Sequence, residues 1–496
     1  MSSIKKDFLF KLSTGIIRIP ANFLLQFFYA RILGPASYGN FDYVLNAANK
    51  ILAFFDSGSS KAFFVKLSSD NTSSIFSLYF FLLAIFLLIL NLSFTGLYYF
   101  FPSFFPNDSL NEIILITNLS GFIYILNAIY FSIDALKKTV FLEKFKIIVI
   151  CLTLILFTLF YLVSENLSTI SFVLIHLSVN IISVIYLSYN QKIFKRISRN
   201  FYNSFNKKNY NYLILFVKPL FFYSLVTTLV PLFERWLLQF FNDSVELGYF
   251  SIAFKLAVLI LVFTSAFVPL FSREISILYS RKKYIETQDL YIKTFKRLLF
   301  ITFLISILIS NFSEEIINLI GGTIYADAIP VLHVMCFYPV LQTLGQINGS
   351  YFYSTKKIKT YSKIGIYCSP ISVILIWFFV APKHMYGLDL GAIGLAIYYV
   401  IYCLLVVSVQ QFYISKYAGI LFKNIISFQL IVFFLIYALN YLINYSFLFE
   451  FNNPILQKVI SNLIFVFIVL LMALYKSNYF LNISYLEIKI ILKKLM

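Results

Sequence analysis

Long apolar runs alternate with short polar segments along this chain, from about residue 8 to residue 475. An α-helix needs about 20 mainly apolar residues to cross the hydrocarbon core of a bilayer. The pattern therefore predicts an all-α polytopic membrane protein with about 14 transmembrane helices. The predicted spans are residues 12–33, 39–57, 75–101, 113–133, 146–164, 168–189, 213–241, 248–271, 297–312, 329–353, 361–381, 390–413, 425–446 and 457–475.

Lysine and arginine residues cluster in every second gap between the apolar runs. The two longest basic gaps are residues 190–212 and 273–296, whereas the alternate gaps hold only Arg31, Lys383 and Lys458 and are otherwise acidic. Because cytoplasmic loops carry an excess of basic residues, both termini are predicted to be cytoplasmic. The first apolar run is too long for a signal peptide and lacks a small-residue cleavage site, so we expect it to remain as the first span.

The composition agrees with a membrane protein. Hydrophobic residues make up 60% of the chain and charged residues 12%, against roughly 45–50% and about 25% in soluble domains. The net charge of +19 comes from short juxtamembrane segments, which indicates contact with the lipid bilayer and not with a nucleic acid. The four cysteines lie within predicted spans and form no CxxC motif, so no metal site is expected. No soluble cofactor is implied either.

A few charged residues lie inside the predicted spans, where each costs about 2.5–3.5 kcal/mol at the bilayer centre. The basic ones are Arg18, Lys50, Lys218, Arg235 and Lys255, and the acidic ones are Asp42, Asp56 and Glu234. Arg18, Asn22 and Gln26 recur every four residues and therefore share one helix face. A partly cationic lining of this kind suits an anionic ligand that crosses the membrane.

Each of these charges also has a purely structural interpretation. Glu234 and Lys255 both lie about seven residues, or roughly 10 Å, from the outer ends of their helices, so they either neutralise each other or serve the ligand. Arg18 and Lys50 have no obvious acidic residue at matching depth, which favours ligand binding. Lys218 is expected to extend to the inner membrane surface.

Two short motifs repeat one pattern. Tyr38–Phe41 (YGNF) opens the span that carries Lys50, and Leu247–Phe250 (LGYF) opens the span that carries Lys255. With the long basic gap between the sixth and seventh spans, the repeat predicts two related six-helix lobes around a shared site, which suggests alternating access. The predicted domains are an N-terminal six-helix lobe (1–200), a C-terminal six-helix lobe (201–415), and two further helices with a cytoplasmic tail (416–496).

Two stretches resemble a known family. Arg31–Phe41 (RILGPASYGNF), followed by Asp56-Ser57-Gly58, resembles the R-x-L-G-P-x-x-Y-G-x-F … D-x-G opening of Wzx-type polysaccharide flippases. Residues Glu234–Lys255 resemble the D/E-R-x-x-L … G-x-Y-S-x-A-x-K pattern of their seventh and eighth helices. The chain departs from the family after the D-x-G motif, where polar Ser59-Ser60 replaces the more usual apolar residue.

The resemblance places four residues on family motif positions, while three others follow from depth and helix face. The motif positions are Arg31, Glu234, Arg235 and Lys255, and the others are Arg18, Asn22 and Lys50. Together they form the predicted substrate-binding and translocation site.

The resemblance also implies a fold and a function. Wzx-type flippases belong to the multidrug/oligosaccharidyl-lipid/polysaccharide exporter (MOP) superfamily, whose members are V-shaped two-lobe bundles with a cationic central cavity. The expected activity is that of a flippase, not an enzyme, in the bacterial cytoplasmic (inner) membrane. It would move an undecaprenyl-diphosphate-linked oligosaccharide, such as an O-antigen, lipopolysaccharide or capsule precursor, to the outer leaflet. An H⁺ or Na⁺ gradient is expected to drive it as an antiporter, with other polysaccharide assembly proteins as partners.

Two other classes of protein stay open. One is a membrane-embedded enzyme of surface polysaccharide assembly, such as a polymerase or an acyltransferase. It would need a large outer loop or a buried catalytic histidine, but the outer gaps are short, and His176 and His333 are more typical of core residues. The other is a drug exporter of the same superfamily, which would favour acidic over basic residues in its cavity.

Overall fold

The computed structural model describes residues 2–57, 59–69, 75–105, 109–136, 138–163, 168–199, 205–218, 221–419, 422–445 and 454–475. Every regular element in these ranges is an α-helix or a short 3-10 helix. Gly58 of the D-x-G motif and residues 476–496 of the predicted cytoplasmic tail lie outside the described residues.

The helices follow the apolar runs because a backbone inside a bilayer must satisfy its own hydrogen bonds. The α-helices are α1 (Ser2–Asp56), α2 (Ser59–Ser69), α3 (Phe76–Phe100), α4 (Leu110–Ala135), α5 (Thr139–Val163), α6 (Thr169–Asn190), α7 (Ile193–Arg199), α8 (Lys207–Val217), α9 (Phe221–Asn242), α10 (Ser244–Val258), α11 (Leu261–Ser280), α12 (Tyr284–Asn311), α13 (Ser313–Ile320), α14 (Ala328–Met335), α15 (Tyr338–Ser354), α16 (Ile358–Val380), α17 (Gly391–Ala418), α18 (Phe422–Tyr445) and α19 (Pro454–Tyr475).

Helix α1 contains both of the first two predicted spans, separated by a kink. Gly34 has non-helical dihedral angles (φ 68°, ψ 172°), in a region that glycine adopts without a steric penalty. Pro35 follows it and has no backbone N–H to continue the hydrogen-bond ladder. The sequence predicted the break between these spans, and the kink explains how one long helix serves as two.

Nine helical segments of the described residues are long and apolar enough to cross a membrane. They are α3, α4, α5, α6, α14 together with α15, α16, α17, α18 and α19. The other five predicted spans lie on α1, α8 with α9, α10 with α11, and α12. The prediction of an all-α polytopic membrane protein is confirmed.

Three spans predicted as single helices are interrupted in the structure. Helix α8 ends before α9 begins at Phe221, and a turn at Leu259–Ile260 separates α10 from α11. A second turn, at Cys336–Phe337, separates α14 from α15. Hydropathy did not reveal these turns because their residues are themselves mostly apolar.

The helices form two compact units. Unit 1 comprises residues 1–252, 317–328 and 372–395, and unit 2 comprises residues 253–316, 329–371 and 396–496. In unit 1, α1 packs against α4, α5 and α9, and α4 packs against α3 and α6. In unit 2, α15 packs against α11 and α12, and α18 packs against α19. The predicted division into lobes at residues 200 and 415 stays a prediction.

Candidate functional site

The two repeated motifs meet within unit 1, where α1 crosses α10. A methyl group added to Gly39 would overlap the carbonyl oxygen of Ser244, and one added to Gly248 would overlap the carbonyl oxygen of Pro35. Each glycine therefore packs on the backbone four residues before the other glycine, so the two contacts mirror each other. Small residues allow this close approach of helix backbones in membranes.

A buried ion pair lies beside this crossing. Arg235 Nη1 donates a hydrogen bond to Asp42 Oδ2, and Ser251 Oγ donates to the same oxygen at 2.6 Å. Asp42 and Ser251 are each the third residue after one of the two glycines. The Asp42 side chain is 0% exposed and that of Arg235 is 9% exposed. The pair is neutral, so Arg235 offers little free charge to a ligand in this structure.

A small cleft between α1 and α9 contains the second candidate cation of this region, Lys50. Its lining residues are Tyr43, Asn46, Ala47, Lys50, Pro231, Leu232 and Arg235. Lys50 interacts electrostatically with Glu234 and Arg235, and its backbone carbonyl accepts a hydrogen bond from Thr228 at 3.4 Å. Lys50 therefore has an acidic neighbour that the sequence did not reveal.

Glu234 itself is buried on α9, and Lys255 is half-buried on α10. The predicted pairing of Glu234 with Lys255 stays a prediction.

Arg31 binds the end of a helix. Its guanidinium donates to the carbonyl oxygens of Ile320 (3.1 Å), Asn318 (3.2 Å) and Leu319 (3.3 Å). The last carbonyls of a helix have no partner within it and carry partial negative charge, so a cation there is stabilising. These bonds support a structural role for Arg31, while its predicted contact with substrate stays a prediction.

A separate cluster of charged residues joins α1 and α5 around the buried carboxylate of Glu143. Arg18 Nη2 lies 2.8 Å from Glu143 Oε2, and Lys146 Nζ lies 2.9 Å from Glu143 Oε1. Thr14 Oγ1 also donates to Glu143 Oε2, at 3.2 Å. The Glu143 side chain is 0% exposed, whereas those of Arg18 and Lys146 are 25% and 22% exposed. Two cations share one acid, so the cluster has a surplus positive charge on its exposed side.

The expectation that Arg18 has no acidic partner at matching depth is therefore wrong. Glu143 was missed because it lies among the lysines of a basic gap that ends, by hydropathy, at residue 146. In the structure α5 begins at Thr139, so Glu143 lies inside the helix. Glu143 could have been recognised from the apolar residues Leu142 and Phe145. These residues extend the fifth span toward its N-terminus, beyond the point where hydropathy placed its start.

Only some of the polar side chains on the shared face of the first span make hydrogen bonds to other described residues. Gln26 accepts a hydrogen bond from the Tyr38 hydroxyl at 2.9 Å, and Arg18 Nε donates to the Thr14 carbonyl at 3.3 Å. Asn22 lies half-buried between them. Among the described residues, Arg18 Nη1 makes no hydrogen bond. Of the seven predicted site residues, Arg18 therefore shares its acidic partner with a second cation while its side chain stays 25% exposed.

A sequence family and several solved structures are similar to this chain. Residues 4–275, more than half of the chain, match the model of a family described as "Polysaccharide biosynthesis protein". No curated protein is significantly similar in sequence. The lipid II flippase MurJ in an inward closed conformation is 18% identical, with a TM-score of 0.65 over 92% of this chain and 98% of that chain.

Two further solved structures share the fold. An inward-facing multidrug resistance transporter of the MATE family and MOP superfamily is 14% identical, with a TM-score of 0.66 over 85% of this chain and 99% of that chain. A MOP superfamily transporter from Pyrococcus furiosus is 15% identical, with a TM-score of 0.57 over 83% of this chain and 96% of that chain. At these identities the similarity shows the fold alone, which is that of MOP-superfamily transporters.

Proposed function

Because the chain belongs to the polysaccharide biosynthesis protein family, we propose that it is a flippase for a polyprenyl-diphosphate-linked oligosaccharide. The observation that supports this most directly is the cluster of Arg18 and Lys146 around Glu143, with two partly exposed cations for one buried acid. A diphosphate is an anion that both side chains can bind, the guanidinium through paired hydrogen bonds and the ammonium as a point charge. The surplus charge is what such a group requires.

The position of the cluster fits a substrate that arrives from the cytoplasmic leaflet. Arg18 lies near the start of the first predicted span, and Lys146 lies at the start of the fifth, next to basic gaps assigned to the cytoplasm. In this proposal both termini are cytoplasmic, the membrane is the bacterial cytoplasmic membrane, and an H⁺ or Na⁺ gradient drives transfer to the outer leaflet. Lys50, at a similar depth in the second predicted span, would be a further contact for the same group.

The fold is compatible with a lipid-linked substrate and with a drug, because a lipid II flippase and a multidrug transporter both share it. The charge of the site favours the first, since cationic drugs would require surplus acid. The solved structures that resemble this chain are transporters, which favours transport over an enzymatic role in polysaccharide assembly.

The proposal is tested by deleting the gene in its native host and locating the lipid-linked oligosaccharide. We expect complete units to accumulate in the cytoplasmic leaflet and surface polysaccharide, such as O-antigen or capsule, to be lost. Complementation with the native gene should restore export, and complementation with Arg18→Gln at equal protein level should not. Units that reach the outer leaflet but remain unpolymerised or unmodified would refute the flippase and support the enzyme.

A further inference from the structure

A second cleft of unit 1 lies apart from the charged residues considered so far. It has a volume of about 360 Å³ and is lined by Ser60, Tyr79, Tyr124, Asn127, Ala128 and Phe131 from α2, α3 and α4. That volume is in the range of small-molecule binding sites. None of its lining residues is charged, so its chemistry differs from that of the Arg18 cluster.

Asn127 gives the first indication that this cleft holds a polar ligand. It lies on α4, one of the nine helical segments able to cross a membrane, and its side chain is exposed. It lies eight residues before Ala135, the last residue of the helix, which is roughly 12 Å along the axis. A carboxamide without a hydrogen-bond partner is costly at such a depth unless it meets water or a ligand. Asn127 has no hydrogen bond to another described residue.

The hydroxyl groups of the cleft are held in place by one carboxylate. Asp56 accepts hydrogen bonds from Ser60 Oγ at 2.7 Å and from the Ser60 backbone N–H at 2.9 Å. It also interacts electrostatically with the Tyr124 hydroxyl. The Tyr79 ring stacks on Phe63 with ring centroids 4.3 Å apart. Ser60 and the Tyr79 ring are therefore held in position before a ligand arrives, which lowers the entropic cost of binding.

The combination of groups selects the class of ligand. Hydroxyls, a carboxamide and aromatic rings suit a neutral polyol, whose hydroxyl groups both donate and accept and whose C–H faces pack on rings. The Asp56 carboxylate behind the cleft would repel a phosphate. A saccharide fits these constraints.

The cleft shares helix α4 with a residue that contacts the proposed diphosphate site. Tyr130 of α4 lies under Lys146, with Nζ 5.2 Å from the ring centroid. Asn127 precedes Tyr130 by three residues, about 4.5 Å along the helix axis. A lipid whose diphosphate lies at Arg18 and Lys146 could therefore extend its attached sugars along the same helix.

We infer that the cleft of Ser60, Tyr124 and Asn127 binds the first sugar residues of the lipid-linked oligosaccharide. The inference rests on the proposed function, and it assigns substrate recognition to two subsites. The Arg18 cluster recognises the diphosphate that all such lipids share. The cleft recognises the glycan, and this is where a preference between different oligosaccharides would arise.

The test compares two probes on the full-length protein in lipid nanodiscs. One probe is undecaprenyl diphosphate without sugar, and the other is the lipid-linked oligosaccharide extracted from the native host after gene deletion. Dissociation constants are measured by native mass spectrometry. Asn127→Ala is expected to weaken binding of the sugar-bearing lipid by about fivefold, the equivalent of one hydrogen bond, and to leave undecaprenyl diphosphate unchanged. Tyr124→Phe and Ser60→Ala should act in the same direction.

Two controls keep the result interpretable. Asn118→Ala removes a carboxamide from the same helix outside the cleft, where it contacts Asn91, and should change neither constant. Arg18→Gln should weaken both probes. Equal weakening of both probes by Asn127→Ala, or no effect on either, would overturn the saccharide subsite while leaving the flippase proposal intact. Failure of the native protein to bind either probe would instead overturn the proposed function.

Discussion

Two buried carboxylates of unit 1 each bind an arginine, but their surroundings differ. Asp42 pairs with Arg235 at a helix crossing, and both side chains are almost fully buried. Glu143 is equally buried, yet its partners Arg18 and Lys146 keep about a quarter of their side chains exposed. The first cluster is neutral and enclosed, and the second is positive and accessible.

The difference shows that a charge inside a membrane helix is not by itself evidence of a binding site. A buried arginine can serve to neutralise one acid and to fasten two helices, as Arg235 does. What distinguishes a ligand-binding cation is surplus charge together with exposure. By that criterion Arg18 and Lys146 are the stronger candidates, and substitutions in the two clusters should have different consequences.

The largest effect is expected from removing the acid of the enclosed pair. Asp42→Ala leaves Arg235 buried without its carboxylate, which typically destabilises a protein by about 3–5 kcal/mol. We expect a large fall in the thermal unfolding midpoint of the purified protein in detergent, and reduced yield. The double variant Asp42→Ala/Arg235→Met should recover part of the loss, and an unchanged midpoint for Asp42→Ala would contradict a structural role for the pair.

In the exposed cluster, Arg18→Gln should alter binding and leave stability nearly unchanged, because Lys146 and Thr14 still satisfy Glu143. Losing a hydrogen bond to a charged group costs about 1.5–3 kcal/mol, which corresponds to roughly tenfold to a hundredfold weaker binding of undecaprenyl diphosphate. Lys146→Gln should have the same sign. A strong loss of stability without a change in affinity would place the cluster in the same class as Asp42 and Arg235.

The glycine crossing tests whether the enclosed pair depends on close backbone approach. Gly39→Ala places a methyl group against the Ser244 carbonyl, a backbone atom that cannot move independently, and overpacking of this kind costs about 1–3 kcal/mol. The matched control is Gly96→Ala on α3, where an added Cβ has no atom within 4 Å. The control should be neutral or slightly stabilising, and equal unfolding midpoints for both variants would contradict the crossing.

A third carboxylate, Glu246, is expected to make a small and pH-dependent contribution to the stability of the folded protein. Its Oε2 accepts a hydrogen bond from the Ala392 N–H at 2.7 Å, in the first turn of α17. Burial raises the pKa of Glu246 above its usual value of 4.5, with Asp243 and Asp327 acting in the same direction and the Ala392 hydrogen bond opposing them. A raised native pKa means that the folded state holds the proton more tightly than the unfolded chain, so stability from this group is lost as pH rises above about 4.5.

Glu246→Gln removes that titration and keeps a carbonyl oxygen for the Ala392 N–H. The unfolding midpoint of the variant relative to the native protein should therefore be higher at pH 7 than at pH 4, by about a degree or two. Thermal unfolding at both pH values measures the difference. A difference that is independent of pH would show that burial of this carboxyl does not affect its titration.

Much of the fold could be predicted because hydropathy is a local property. The apolar runs of α3 to α6 and α16 to α19 each contain enough consecutive residues to identify a span. The turns at Leu259–Ile260 and Cys336–Phe337 could not be predicted, because apolar residues at a turn do not interrupt the hydropathy signal. The repeated motifs were recognised from their residues, but no local pattern indicated that Gly39 and Gly248 pack against each other's helices.

The candidate site was predictable in its residue types and not in its pairing. Arg18 and Arg235 are both intramembrane arginines in the sequence, and their local surroundings do not show which acid each one binds. Their acidic partners, Glu143 and Asp42, lie 125 and 193 positions away along the chain.

The sequence by itself determined the class of this protein, the approximate positions of its membrane helices and the residues whose charge inside a bilayer demands an explanation. These follow from composition and local spacing, because the cost of moving a residue from water into the bilayer depends mainly on that residue's own side chain. Only the tertiary structure decided which charges are neutralised, which remain exposed and which uncharged residues meet in a cleft. Those properties depend on contacts between distant segments, because electrostatic compensation and burial are set by neighbours in space.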